Sequence, residues 1–233
     1  MSASPFDDEI VLFDAVSAAS DAVPTIFAFP NAYTIGITSL GYQVVWATLA
    51  GRSDLDVARL FMDAQEPLPS SSELLGFSLS WELDYANVLT LLERLGIPRK
   101  SGDRTENHPI IFGGGPVLTG NPEPFADFFD VILLGDGEVI LDKFIDGYQA
   151  VRGSDRQTQL EKLAQIPGLY VPQLYTVEYT APDGPIASIK PTSAAVPETV
   201  TKQTHRSNTL SASTVFTPQA AWENTFIVET VPS

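Results

Sequence analysis

From residue 25 to residue 151 the chain alternates short apolar runs with stretches whose apolar residues recur at helical spacing. Thr25, Ile26, Phe27, Ala28 and Phe29 form a first run, closed by Pro30, and predict a strand. Leu40, Val44, Val45 and Leu49 then recur with the period of a helix, and Gly51 supplies a stop. Residues 57–61 predict a second strand and residues 74–78 a third. Tyr85, Val88, Leu89, Leu92 and Leu95 predict a helix with Asp84 at its N-cap and Gly96 and Pro98 beyond its end. Residues 110–112 and 131–134 predict strands four and five, and Leu141, Phe144, Ile145, Tyr148 and Val151 line one face of a following helix. Strands alternating with helices predict a parallel sheet covered on its faces by helices.

Beyond residue 168 the pattern changes. Residues 170–179 alternate like a strand, Asp183 and Gly184 signal a turn, and residues 186–189 return, which predicts a β-hairpin. Residues 191–217 are rich in Ser, Thr, Pro and Ala and predict an extended, mobile linker. The expected organisation is an N-terminal extension over 1–24, an α/β domain over 25–166, a hairpin over 167–190 and a linker over 191–233.

Composition narrows the function classes. The 233 residues carry a formal net charge of −16, which argues against a surface for nucleic acid or for anionic lipid. There is no cysteine, hence no disulfide and no thiolate metal site, and two histidines do not make a histidine-rich metal centre. His108 and His205 read as surface residues rather than bases. No apolar run reaches the ~18 residues of a membrane span. The acidic start does not read as a secretory signal, so the expected location is cytoplasmic.

In an open parallel sheet, ligands bind beyond the carboxyl ends of the strands. The candidate residues are therefore those that follow each predicted strand. Asn31, Tyr33 and Gly36 follow the first, and Ser78 and Ser80 end the third. Gly113, Gly114, Gly115 and Pro116 end the fourth, and Gly135, Asp136, Gly137 and Glu138 end the fifth. Glycines there let backbone approach a ligand, or merely permit a tight turn. Two carboxylates at a helix start favour a hydroxyl or amide partner over a phosphate. Serines donate hydrogen bonds to a ligand or simply terminate a strand. Glu82 and Asp84 read as solvated residues at a helix start. Neither G-x-G-x-x-G nor a Walker loop is present, and no Ser-His-Asp set is credible.

Together these loops resemble one family. The stretch IIFGGGPVLTGNPEPFADFFDVILLGDGE over residues 110–138 is similar to the second half of the cobalamin-binding-type domain that precedes radical SAM catalytic cores. Residues 76–98, with FSLSWELDYANVL, resemble the preceding unit of a fused radical SAM subfamily, and residues 29–41 resemble its opening. The resemblance implies a flavodoxin-like, Rossmann-like doubly wound α/β fold with five parallel strands. It implies cobalamin as cofactor, held by the candidate residues above. It further implies a barrel as partner, opening with Cys-x-x-x-Cys-x-x-Cys, where thiolates hold a [4Fe-4S] cluster and S-adenosylmethionine is cleaved. Trp222 to Glu229 resembles the approach to that motif, so the chain reads as an N-terminal piece with no catalytic residues and no metal ligands of its own. Cobalamin domains with an axial histidine carry Asp-x-His-x-x-Gly after strand one; here Asn31 and Tyr33 stand at the acid and the imidazole, with Gly36 in place. A neutral phenol is a poor cobalt ligand. The alternative is a domain that has lost the cofactor and docks its barrel.

Overall fold

The computed structural model describes residues 4–204, 211–222 and 225–229. Its elements in chain order are β1 (Ile10–Val11), β2 (Val23–Ala28), α1 (Tyr33–Gly36), α2 (Leu40–Ala50), β3 (Leu55–Leu60) and β4 (Leu74–Ser78). There follow α3 (Tyr85–Arg94), β5 (Ile110–Gly114), α4 (Pro116–Gly120), β6 (Val131–Leu133), α5 (Gly137–Val151) and α6 (Arg156–Leu163). The last are β7 (Leu169–Tyr170), β8 (Tyr175–Tyr179), β9 (Ile186–Pro191) and β10 (Val215–Phe216).

The central sheet has the order β3-β2-β4-β5-β6-β7. Its first five strands are parallel, and their order is that of a flavodoxin-like doubly wound sheet. The five parallel strands are as expected, and one strand is added to them. A sixth strand, β7, closes the edge antiparallel to β6, with Ile132 opposite Tyr170 and Leu133 opposite Leu169. Residues 169–170 therefore do not begin the hairpin. The chain turns through a 3-10 helix at Pro172–Leu174, and the hairpin starts at β8, paired with β9.

Strand residues alternate between two cores. Phe27, Leu74, Ile110, Phe112, Val131 and Leu133 pack under α2 and α5, with Tyr42, Trp46, Ile140 and Phe144. Ile26, Leu75, Ile111 and Ile132 pack on the opposite face against Val88, Leu91 and Leu92 of α3 and Leu118 of α4. Burial on both faces is why these strands read as continuous apolar runs.

Where it is described, the tail packs on the domain; residues 205–210 and 223–224 of the expected linker lie outside the described residues. Val196 and Val215 are buried, β10 pairs antiparallel with β1, and Leu12 N–H donates to Thr214 O. The side chain of Gln43, itself buried, accepts from the backbone N–H of Thr214 at 2.8 Å and of Val215 at 3.0 Å. Few large apolar residues are needed, because polar partners inside the domain take up the tail's backbone groups.

Candidate functional site

Two glycine turns and two helix N-termini meet at the carboxyl edge of the sheet. β5 runs into Gly115, whose φ is 112°, and α4 starts at Pro116, whose missing N–H is no loss at a first helical position. A Cβ on Gly115 would run into the Leu79 backbone, so this turn needs glycine to seat the loop after β4. β6 runs through Gly135, with φ 129°, into α5, which begins at Gly137. A Cβ on Gly137 would stand 3.1 Å from Val45, which shows how closely α5 approaches α2. Opposite lies the start of α2, where the Ser39 hydroxyl caps the helix by accepting from Tyr42 N–H.

These elements enclose a cavity of about 660 Å3. Phe27, Phe77, Phe112 and Leu133 line it from the sheet, and Val44, Val45, Ile140 and Leu141 from α2 and α5. Of the sequence candidates, Ser78, Ser80, Gly114, Gly115, Pro116, Gly135, Asp136, Gly137 and Glu138 are brought together on its wall. Asp136, Glu138 and Glu229 make the mouth acidic, and Lys202 is the cation among the described residues there.

The other four candidates are not on this wall. Gly113 is a packing glycine, since a Cβ would come 2.6 Å from the Phe129 ring and 2.7 Å from Leu118. Gly36 is another, 2.6 Å from Phe61 by the same measure. Tyr33 is buried; its hydroxyl donates to Glu9 Oε1 at 2.6 Å, and its ring meets Phe6 and Phe61 edge-on. Burial and then the Glu9 carboxylate push its phenol well above the ordinary tyrosine range. Glu9 in turn holds the buried Arg59, whose guanidinium lies 3.9 Å from the Trp46 ring centroid. Asn31 donates to Asp84 Oδ1 at 2.6 Å.

Asp84 differs from its expected role as a solvated cap. It makes no side-chain capping bond, only 5 % of it is exposed, and its Oδ2 has no hydrogen-bond partner among the described residues. Burial raises its pKa above the usual aspartate value, with the Asn31 bond opposing. His108 sits at the opposite, amino edge of the sheet, before β5, where its Nδ1 accepts from Thr105 N–H. His205 lies outside the described residues. Among the described residues no group of three or more His, Cys, Asp or Glu could hold a metal ion, and no helix is long and apolar enough to cross a membrane.

Thr119, Ser39, Lys202, Ser211 and Glu229 also line the cavity and were not singled out by the sequence. Ser39 carried a signal, a serine just before a helical period. Thr119 carried one too, as the lone hydroxyl in the apolar turn after Gly115; its Oγ1 accepts from Gly135 N–H. The tail residues carried none, because their place depends on contacts far along the chain.

The family model for the N-terminal region of radical SAM proteins matches residues 44–172. The chain belongs to this family. The matched part contains both glycine turns of the cavity and leaves residues 31–36 outside. An uncharacterized protein of Methanocaldococcus jannaschii is 29% identical over 112 residues, covering 47% of this chain and 23% of that protein. The solved structure of OxsB, a cobalamin-dependent S-adenosylmethionine radical enzyme with aqua-cobalamin and S-adenosylmethionine bound, covers 75% of this chain and 24% of that one. Identity there is 15% and the TM-score is 0.42. The chain thus spans about a quarter of the length of these two proteins.

Proposed function

We propose that this radical SAM N-terminal region is a cofactor-holding module, and that its cavity takes part of a cobalamin beside the catalytic barrel. The observation that carries this reading is the cavity itself. Its volume falls within the ~300–1,000 Å3 of small-molecule sites. It has an apolar interior for a flat ring, and its glycine turns let Leu79, Gln203 and Val45 pack close to form the walls. The nucleotide base of a cobalamin fits such an interior. Ser78, Ser80 and Thr119 would bond its sugar, and Gly114, Gly115, Gly135 and Gly137 would meet it through backbone. The acidic mouth favours hydroxyl and amide groups and leaves the phosphate outside. When bound, the corrinoid supplies a cobalt centre able to carry an alkyl group. Tyr33 cannot reach that cobalt while it is buried against Glu9, so the metal would lack a ligand from this loop. The [4Fe-4S] cluster and S-adenosylmethionine would belong to the barrel, since this chain has no cysteine.

Titration of the chain with hydroxocobalamin, followed by calorimetry and visible absorption, tests the reading. Saturable heat below ~100 μM is expected. Absence of binding in that range contradicts it.

A second reading is favoured by one feature. Trp81 and Leu83 stand out from the loop after β4, with Leu83 92% exposed. Apolar side chains so placed fit a surface that docks a barrel. A domain that had lost the cofactor would use only this surface. Full-length protein that is active without corrinoid would favour docking, and a strict corrinoid requirement would remove it.

A further inference from the structure

The tail meets the wall of the cavity at Lys202, and its fastening beside it is specific. Gln203 N–H donates to Leu134 O, and Asp136 N–H donates to Gln203 O, both at 2.9 Å. This is the manner in which an extended peptide adds to the end of a strand. Two glycines far apart in sequence make the seat. A Cβ on Gly135 would collide with Gln203 O, and a Cβ on Gly168 would come 2.6 Å from Gln203 Cγ. Both have positive φ, 129° and 90°. The fit of two such glycines to one tail residue marks this position as built to receive the tail.

The described residues on either side of residues 201–204 are firmly held, and the stretch itself is largely exposed. Before it, Val196 is buried and Tyr175 Oη donates to Pro197 O at 2.8 Å. After it, Ser213, Val215 and Thr217 are buried and Gln43 grips the backbone. Residues 201, 202 and 204 are exposed and Gln203 is half-buried. Lys202 nevertheless lines the cavity, so this exposed stretch forms part of its rim.

We infer that residues 201–204 are a displaceable strap, and that ligand entry and strap release are coupled. The inference rests on the cofactor reading. A cavity of about 660 Å3 suits a ligand of drug size. A corrinoid with its nucleotide tail is larger, so its ring must take up space on the side of the cavity that Lys202 lines. Breaking the two main-chain bonds at Gln203 opens it, while the anchors at Val196 and Val215 stay in place. Binding thereby moves the stretch at Gln203 while the fastenings on either side of it hold.

Two measurements test this on the chain with hydroxocobalamin as probe. Amide exchange of Gln203 in the wild type should quicken when the probe binds, while Val215 stays protected. Stopped-flow binding should be faster for Gln203→Pro, which loses the donor to Leu134 O, by about five- to tenfold. The wild-type rate should level off at high probe concentration, because strap opening becomes limiting. Binding only by Gln203→Pro would also support the strap as a gate. Saturable binding with unchanged Gln203 exchange and equal rates would overturn the strap and leave the cofactor reading standing. No binding by either form would overturn the cofactor reading and the coupling with it. Should Gln203→Pro fail to fold, the wild-type exchange result decides alone.

Discussion

The carboxyl edge of the sheet has two halves, and they differ. The loops after β5 and β6 stay open and wall a cavity. The loop after β2, residues 31–36, is filled in. The N-terminal segment brings Phe6 and Glu9 onto it, and Tyr33, Phe61, Arg59 and Trp46 close the space. The strand-end rule therefore locates an edge, and neighbouring chain segments decide which part of it admits a ligand. Here a segment from outside the parallel sheet occupies the half where a cobalt-ligating histidine would otherwise be sought.

The strongest way to break this contrast is to remove the clamp of the closed half. Arg59→Ala leaves Glu9 buried without its partner and should cost about 3–5 kcal/mol, measured by urea unfolding. A cost below ~1 kcal/mol would show that the half is not clamped. Next comes Tyr33→His, which removes a charge-assisted bond to Glu9 worth about 1.5–3 kcal/mol. It should also leave the spectrum of added hydroxocobalamin as in the wild type, because position 33 faces the core. A new nitrogen-ligated spectrum would mean that the loop opens.

On the open half, Gly135→Ala places a Cβ against Gln203 and forces a positive φ on alanine, at a cost of about 1–3 kcal/mol. Amide exchange should then rise at Gln203 while β4 and β5 keep their protection. The smallest effect is expected at the seam, at Asp84. Its raised pKa means that the folded protein keeps this proton to higher pH than the unfolded chain does. Its contribution is therefore fully favourable below the ordinary aspartate range and is lost as pH rises through the raised value. Asp84→Asn should be slightly more stable than the wild type at neutral pH and lose that advantage in acid, as read from unfolding midpoints across the range. A variant less stable at neutral pH would show that the charged carboxylate has a partner that stabilises it.

Much of the fold was legible because double-sided burial writes itself as apolar runs. Residues 74–78 and 110–112 could hardly be anything but central strands. β7 was not legible, since two residues of an antiparallel edge leave no period to detect. The open half of the site was legible through Gly114, Gly115, Gly135 and Gly137, because glycines directly after a strand stand out in the sequence, although what demands them at 115, 135 and 137 is the approach of Leu79, Gln203 and Val45. The closed half was not. Asn31 and Tyr33 stand where a ligand-binding loop would place them, and only the meeting of Glu9 with Arg59, 50 residues on, fills that space. The tail's fastenings were not legible for a similar reason, because its backbone partners Gln43 and Leu134 lie far along the chain.

The central claim is that the open half alone receives a cofactor. Backbone NMR of the chain during hydroxocobalamin titration tests it most directly, since the probe is diamagnetic. The account predicts saturable shifts at the amides of Gly114, Gly115, Gly135 and Gly137, with the amides of residues 31–36 unmoved. No shifts up to ~100 μM, or the largest shifts in residues 31–36, would contradict it.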